Sequence, residues 1–265
     1  MRKWIFRLTL CIAIAIVFST TQSIIVWVRE CAIAEAVKKC GGTVGMHPFG
    51  PNWLPLRLRS KMRVYDRVIL VDLRRRRPDA SLLRSVGSLT HLEVLDVAGT
   101  LVDDDHVRMW SGLANVRYLY LSGTKVTDVA IKTIATMRDM TDLYLDDTAI
   151  TDAGVKTMAT MVQLRVLGLK STNITDTALQ YLPNRKRITR LFIDGTRVTD
   201  GGIVFLTEAE AIEFLGISDT AVTDSAVPVL TGFKRLEKVW IRGTNITKEG
   251  ILALEQSVPE CTVSQ

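Results

Sequence analysis

The sequence predicts an α/β solenoid, in which short parallel strands alternate with short helices along one superhelix. The first observation is a period of 24 residues, by which Leu119 returns as Leu143 and Leu167. The second is that each period combines one strand pattern with one helix pattern. The third is that no insertion interrupts the spacing. Self-similarity at a fixed period of this length is typical of repeat architectures.

The repeat comprises seven regular units, preceded by one degenerate unit. In the degenerate unit Val71 takes the place of the strand leucine and Arg76 takes the place of the threonine. We therefore assign residues 63–256 to the repeats. The strand leucine recurs at Leu95, Leu119, Leu143, Leu167, Leu191, Leu215 and Val239, and the threonine at Thr100, Thr124, Thr148, Thr172, Thr196, Thr220 and Thr244.

Each unit divides into a strand half and a helix half. Residues 119–121 alternate apolar side chains at period 2, which indicates a short strand. Ile131 and Ile134 are three residues apart, which is typical of one stripe of a helix. Between the halves, Thr127 and Asp128 predict a helix start, because a hydroxyl can cap free amides and a carboxylate suits the positive helix end. One unit alone cannot bury its apolar face, whereas stacked units can.

The pattern Leu119-x-Leu121-x-x-Thr124-x-Val126 resembles the leucine-rich repeat, L-x-L-x-x-N-x-L, with Thr in place of Asn. The resemblance implies a right-handed superhelix with a curved parallel sheet on its concave face. It also implies a ladder in which each threonine side chain bonds the backbone of the next turn. The motif G-T-x-V-T-D at residues 123–128 is similar to membrane-anchored bacterial repeat proteins of the planctomycete kind. The repeats also resemble those of ribonuclease-inhibitor and F-box-type proteins.

The N-terminal residues 1–28 predict a hydrophobic helix. Basic residues at its start precede residues 8–28, which form 21 uncharged residues, and a span of about 20 suffices to cross a bilayer. We predict a single-pass signal anchor with the repeats on the extracytoplasmic side. The alternative is a signal peptide cleaved near Ser23, which would leave a secreted protein.

Two further segments are predicted to close the ends of the array. Residues 29–62 contain a helix that ends at Gly41-Gly42, followed by an irregular stretch with Trp53, Leu54 and Leu56. Residues 257–265 follow the last helix. Because a solenoid needs sealed ends, we assign these segments as the N-terminal and C-terminal caps.

A basic run, Arg74, Arg75, Arg76 and Arg77, lies in the first unit of a chain whose net charge is +6. It has three interpretations. The run can form an ordinary solvated surface, or it can contact anionic lipid headgroups beside the anchor. Nucleic-acid binding is the least favoured, because no aromatic residue interleaves the arginines for base stacking.

Sequence motifs for chemistry are absent from the chain. It contains no phosphate-binding glycine loop, no H-E-x-x-H, no G-x-S-x-G and no C-x-x-C pair. The run Asp103–His106 places acidic residues beside a histidine, but it falls where other units have Thr-Asp. Helix capping is therefore the favoured interpretation, with cation binding as the alternative. We predict a protein that is not an enzyme and needs no metal or cofactor.

The strand residues between the core positions should form columns on the outer face of the sheet. The central column reads Asp72, Asp96, Tyr120, Tyr144, Gly168, Phe192, Gly216 and Trp240. Aromatic and arginine side chains are enriched in interfaces, and gaps at the glycines could receive a partner's side chains. The candidate partner-binding residues are Tyr118, Tyr120, Tyr144, Arg190, Phe192, Phe214 and Trp240. The alternative is that the rings stack on each other to cover the sheet.

These observations lead to a functional hypothesis with one alternative. The chain is predicted to be a membrane-anchored, non-catalytic module that binds a protein or peptide on its concave face. Alternatively, it is a structural envelope spacer whose arginines Arg74–Arg77 contact lipid and which has no dedicated ligand.

Overall fold

The computed structural model describes residues 2–50, 57 and 61–265, but not the side chains of residues 1–20 and Val64. Within this part of the chain, one ten-stranded sheet follows the order of the sequence from β1 to β10. The pairs from β2 to β10 are parallel, and β1 is antiparallel to β2. The strands are β1 (Thr43–Pro48), β2 (Asp66–Asp72), β3 (Val94–Asp96), β4 (Tyr118–Tyr120), β5 (Asp142–Tyr144), β6 (Val166–Gly168), β7 (Arg190–Phe192), β8 (Phe214–Gly216), β9 (Lys238–Trp240) and β10 (Thr262–Ser264).

Short helices return the chain from each strand to the next. Most of them begin after a capping residue whose side chain accepts a backbone N–H bond, as Thr151 does from Ala153 at 3.2 Å, whereas the helix Val227–Leu230 follows Ala226 and has no such cap. This confirms the predicted helix starts. The helices are α1 (Arg2–Lys39), α2 (Ala80–Val86), α3 (Asp104–Arg108), α4 (Asp128–Ile134), α5 (Asp152–Thr157), α6 (Asp176–Gln180), α7 (Asp200–Val204), α8 (Val227–Leu230) and α9 (Lys248–Ser257).

The leucine row predicted from the period lies in the interior. Leu119 pairs with Leu143, and Leu143 pairs with Leu167, in strict register along the sheet. All three side chains are fully buried. The degenerate first unit joins the same row, since Val71 pairs with Leu95. The predicted α/β solenoid with a parallel sheet is confirmed.

The threonine ladder implied by the family resemblance is wrong in its bonding. The Thr124 hydroxyl donates to the carbonyl of Leu121 at 2.6 Å, within its own unit. The threonines at the equivalent positions do the same, as Thr172 does to Leu169 at 2.6 Å. The hydroxyl closes the tight turn that follows each strand, because a side chain three residues after the accepting carbonyl reaches it directly.

The bonds between turns come instead from the Thr-Asp motif. Asp128 at the start of α4 accepts from the backbone N–H of Thr151 at 2.9 Å and from its hydroxyl at 2.6 Å. Each aspartate therefore fixes the threonine that caps the next helix. We call this series the Asp–Thr ladder; its pairs are Asp104–Thr127, Asp128–Thr151, Asp152–Thr175, Asp176–Thr199, Asp200–Thr223 and Asp224–Thr247.

The C-terminal half of α1 covers the first edge of the sheet together with β1. Glu30 is fully buried there, and its Oε2 accepts from the backbone N–H of Val68 at 2.7 Å. Ile33 and Val37 pack into the core from the same helix. The hairpin of β1 and β2 leaves β2 paired on both sides.

The predicted anchor falls largely on residues whose side chains lie outside the described part. Among the described residues, none of the helices combines the length and the apolar character needed to cross a bilayer. Ile24, Ile25 and Val28 of α1 are exposed. Trp53, Leu54 and Leu56, predicted to contribute to the N-terminal cap, also lie outside the described residues.

The other end of the array carries one more strand than the sequence analysis assigned. β10 pairs with β9 in the register of the repeat, with Val263 opposite Val239. Val263 follows Val239 by one period of 24 residues. The segment after α9 therefore continues the sheet, and Cys261 beside it is buried.

Candidate protein-binding face

The outer face of the sheet brings the predicted site residues into two aligned columns. Tyr120 and Tyr144 are register partners, and Phe192 and Trp240 lie further along the same column. Tyr118, Arg190 and Phe214 occupy the neighbouring column. These positions alternate with the buried leucines, so their side chains leave the sheet on the side away from the core.

The two tyrosines of the central column form a stacked pair. The ring centroids of Tyr120 and Tyr144 are 4.8 Å apart, and the rings are nearly parallel at 9°. Both side chains are half-buried. Burial raises the pKa of each phenol, and nearby carboxylates such as Asp142 raise it further. This pair is the stacking predicted by the alternative interpretation of the column.

The glycines of this column do not leave gaps, so that part of the prediction is wrong. Gly168 and Gly216 are buried. A Cβ at Gly168 would lie 2.8 Å from the Asp146 carboxylate and 2.9 Å from the Tyr144 ring. A Cβ at Gly216 would be closer still to the Asp194 carboxylate. The glycines are there because aspartates of the preceding unit cover them.

The two aspartates hold the backbone of the turn that follows the strand of the next unit. Asp146 accepts from the N–H of Lys170 at 2.9 Å and from the Ser122 hydroxyl at 3.2 Å. Burial raises the pKa of Asp146, and these hydrogen bonds only partly oppose the effect. Asp194 accepts from the N–H of Ser218 at 3.0 Å, and its other oxygen lies 3.2 Å from Lys170 Nζ.

The C-terminal half of the face holds a cluster of three rings. Trp240 lies 5.8 Å from Phe192 and 6.4 Å from Phe214, measured between ring centroids. All three rings are half-buried. Each carries a cation, with Lys170 4.8 Å from the Phe192 centroid, Arg190 4.8 Å from that of Phe214 and Lys238 4.7 Å from that of Trp240. We call these six residues the aromatic–cation cluster.

A pocket of about 360 Å³ borders this cluster beside Trp240. Lys170 and Arg242 line it, together with Ser218 and with Ser264 of β10. The contribution of β10 to this pocket was not predicted from the sequence. It could have been predicted, because Val263 follows Val239 by one period of 24 residues.

Three arginines of the run, Arg74, Arg75 and Arg76, line one pocket of about 370 Å³, whereas Arg77 lies apart from it. Arg74 bonds to Asp96 at 2.9 Å on the sheet face, and burial raises the pKa of Asp96 against the opposing effect of that arginine. The guanidinium of Arg76 lies over Gly41. Arg77 lines a separate groove of about 600 Å³ between α1 and α2. Arg74, Arg75, Arg76 and Arg77 are all exposed, and their contact with lipid stays a prediction.

The run around His106 is engaged in helix capping, as predicted. Asp103 accepts from the backbone N–H of His106 at 3.1 Å and from its ring Nδ1 at 2.6 Å. Burial raises the pKa of Asp103, but the bonds from His106 outweigh it and the net shift is downward. In the described part of the chain, no group of three or more His, Cys, Asp or Glu residues is placed to hold a metal ion.

Solved structures share this architecture at low sequence identity. An internalin C2 from Listeria monocytogenes aligns over 88% of this chain and 92% of its own, with 20% identity and a TM-score of 0.58. The internalin InlF of the same organism aligns over 69% of this chain and 50% of its own, with 17% identity and a TM-score of 0.56. The fold is a leucine-rich-repeat solenoid. The sequence matches no protein-family model and no curated protein.

Proposed function

We propose that this chain is a non-catalytic, membrane-anchored leucine-rich-repeat protein that binds a protein or peptide on the outer face of its sheet. One observation supports the binding role: five strands each place a half-buried aromatic ring in one of two columns on that face. Such rings offer large contact area at low entropic cost. Extended surfaces of this kind are the binding surfaces of solenoid proteins.

The competing proposal is a structural spacer without a dedicated ligand. The stacked pair of Tyr120 and Tyr144 favours it, because rings that cover each other also shield the sheet. The aromatic–cation cluster favours binding instead, since its cations remain at the surface above the rings. The two proposals predict different results when rings are removed.

The decisive experiment replaces Tyr144 and Phe192 together with alanine and compares partners recovered by affinity purification after cross-linking in cells. Under the binding proposal, the partners recovered with the wild-type chain are lost. A matched control is Tyr181→Ala, which removes a ring that contacts Lys156 of α5 on the helical side. Partners that persist in the double variant, with its circular dichroism unchanged, would establish the spacer instead.

The membrane anchor and the extracytoplasmic location belong to the same proposal. They rest on the uncharged run of residues 8–28, within which Ile24, Ile25 and Val28 are exposed. Fractionation of cells expressing a C-terminally tagged chain tests both. We expect the tag in the membrane fraction and accessible to protease added outside intact cells or spheroplasts. A tag found only in the soluble fraction would rule out the anchor.

A further inference from the structure

The aromatic–cation cluster contains two positive charges that have no carboxylate partner among the described residues. Lys170 is paired with Asp194 at 3.2 Å, and Arg242 with Asp219 at 3.6 Å. Among the described residues, Arg190 and Lys238 make no ion pair; they lie over Phe214 and Trp240 instead. A cation over a ring uses the ring's π face and keeps its N–H donors for another acceptor.

We infer that this cluster binds an extended acidic segment of the partner, an inference that rests on the proposed protein-binding function. Carboxylates are the natural acceptors for a guanidinium and an ammonium that already face solvent. The rings beneath would contact apolar side chains of the same segment. The other half of the face is unsuited to an acidic ligand, because Asp142 and Asp146 lie beside its tyrosines.

The register of the strands sets the spacing of the acidic residues. Arg190, Phe214 and Lys238 are successive partners in one column, on β7, β8 and β9. Neighbouring strands lie about 4.8 Å apart, so the backbone positions of Arg190 and Lys238 are separated by roughly 10 Å along the array. A peptide in the extended polyproline II conformation advances about 3.1 Å per residue with three residues per turn, so carboxylates three residues apart lie on one side of it and match both positions. The two residues between them pass beside Phe214, whose ring Arg190 covers from one side.

Synthetic peptides test this inference on the full-length chain. The first probe has glutamate at every third position with tyrosine between the glutamates. A second has the same composition with the glutamates adjacent, and two analogues carry glutamine or lysine in place of glutamate. We expect the first probe to bind most tightly by fluorescence anisotropy, and its binding to weaken as salt rises.

Variants assign the binding to the cluster. Arg190→Ala combined with Lys238→Ala should weaken the first probe about tenfold, equivalent to about 1.4 kcal/mol. Both side chains are at least partly exposed, so the fold should persist. The matched control is Lys156→Ala, which removes a cation 4.9 Å from the Tyr181 ring on the helical side and should leave binding unchanged.

The outcomes separate this inference from the proposed function. If the lysine or glutamine analogue binds as well as the first probe, and Phe192→Ala weakens it, the face binds peptides but the acidic inference is overturned. If the first probe binds equally to the wild type, the double variant and Phe192→Ala, it binds outside the cluster and the acidic inference is overturned. Failure of the first probe to bind overturns the acidic inference alone, and the cross-linking experiment then decides the proposed function.

Discussion

Each regular unit has a threonine after its strand, and most have an aspartate at the start of their helix. The two side chains bond in opposite directions along the array, which the repeat motif did not predict. The threonine after the strand bonds back within its own unit, as Thr124 does to Leu121. The aspartate at the helix start bonds forward, as Asp128 does to Thr151. The forward bonds satisfy a backbone N–H and a hydroxyl at each of the six boundaries between the seven regular units. Small residues such as Gly154 beside Asp128 leave room for that carboxylate.

Removal of one carboxylate from the Asp–Thr ladder should destabilise the whole array. Asp152→Ala leaves the Thr175 N–H and hydroxyl without the acceptor that now lies 2.7 Å from each. We expect a loss of about 2 kcal/mol in the free energy of unfolding, the usual scale for hydrogen bonds to a charged group. Urea denaturation measures it, with the exposed Asp139→Ala as control. Equal values for the two variants would contradict the ladder's role.

The half-buried Asp146 should make the chain less stable as pH rises, whereas a carboxylate in a surface ion pair contributes more stability as pH rises. Its pKa is raised in the folded chain by burial, so protonation favours folding. Its contribution is full below the unfolded value near 3.8 and is lost as pH rises through the higher folded value. Asp146→Asn mimics the protonated state and can still accept from the Lys170 N–H.

The measurement for Asp146 compares unfolding free energies of wild type and Asp146→Asn across this range. We expect the variant to gain stability relative to wild type as pH rises from 3.8 toward neutrality. The comparison cancels groups that titrate equally in both chains, including Asp103. A difference that is constant with pH, or that shrinks as pH rises, would contradict the assignment.

At the scale of single elements, no strand or helix of the repeats is long enough to be stable alone. β4 to β10 have three residues each, and α3, α6 and α7 have five. Isolated helices of this length are unstable in water. Their stability comes from burial between neighbouring units, where Leu143 and Leu167 are fully enclosed. At the first end, β1 pairs with β2 and α1 packs beside it, and at the other end β10 pairs with β9 as the last strand of the sheet.

The docking of α1 should depend on Glu30. Glu30→Ala leaves the N–H of Val68, now 2.7 Å from the carboxylate, without its acceptor. We expect a loss of about 2 kcal/mol in the free energy of unfolding and faster amide hydrogen exchange in β2. Glu30→Gln keeps an acceptor and should lose less, whereas the exposed Glu35→Ala should change little. Unaltered exchange in β2 for Glu30→Ala would show that the contact is dispensable.

At the scale of the whole molecule, stability should add up from units and their interfaces, since each unit contacts its neighbours in sequence. Removing residues 153–176 deletes one full period and joins Asp152 to Thr177. Asp152 then takes the place of Asp176 opposite Thr199, so the ladder and the leucine row both re-form.

We expect this deletion variant to stay folded, with a helical and strand content close to that of the parent by far-UV circular dichroism. Its urea transition should remain cooperative, with a slightly smaller m-value because less surface is buried. The control removes residues 153–164, half a period, which places helix residues where a strand must pair. A folded half-period variant, or an unfolded full-period one, would refute the nearest-neighbour account.

The period was sufficient to predict the fold because it constrains every unit identically. Leu119, Leu143 and Leu167 could be placed in one buried row from their spacing alone. The same spacing identified the columns of the outer face, including Phe192 and Trp240. The bonding partner of the Thr124 hydroxyl could not be predicted, because several acceptors lie within its reach. The covering of Gly168 could not be predicted either, because it depends on Asp146, 22 residues earlier in the chain.

The sequence by itself determined which residues face inward and which face outward, because a fixed register repeats one geometric choice along the array. Only the tertiary structure decided how the outward residues interact. Tyr120 and Tyr144 stack on each other. Arg190 lies over Phe214 of the next strand, and Lys238 lies over Trp240 of its own strand. The reason is physical. Burial follows from periodicity along the chain, but contacts between long side chains depend on rotamers and distances that arise only after the units stack.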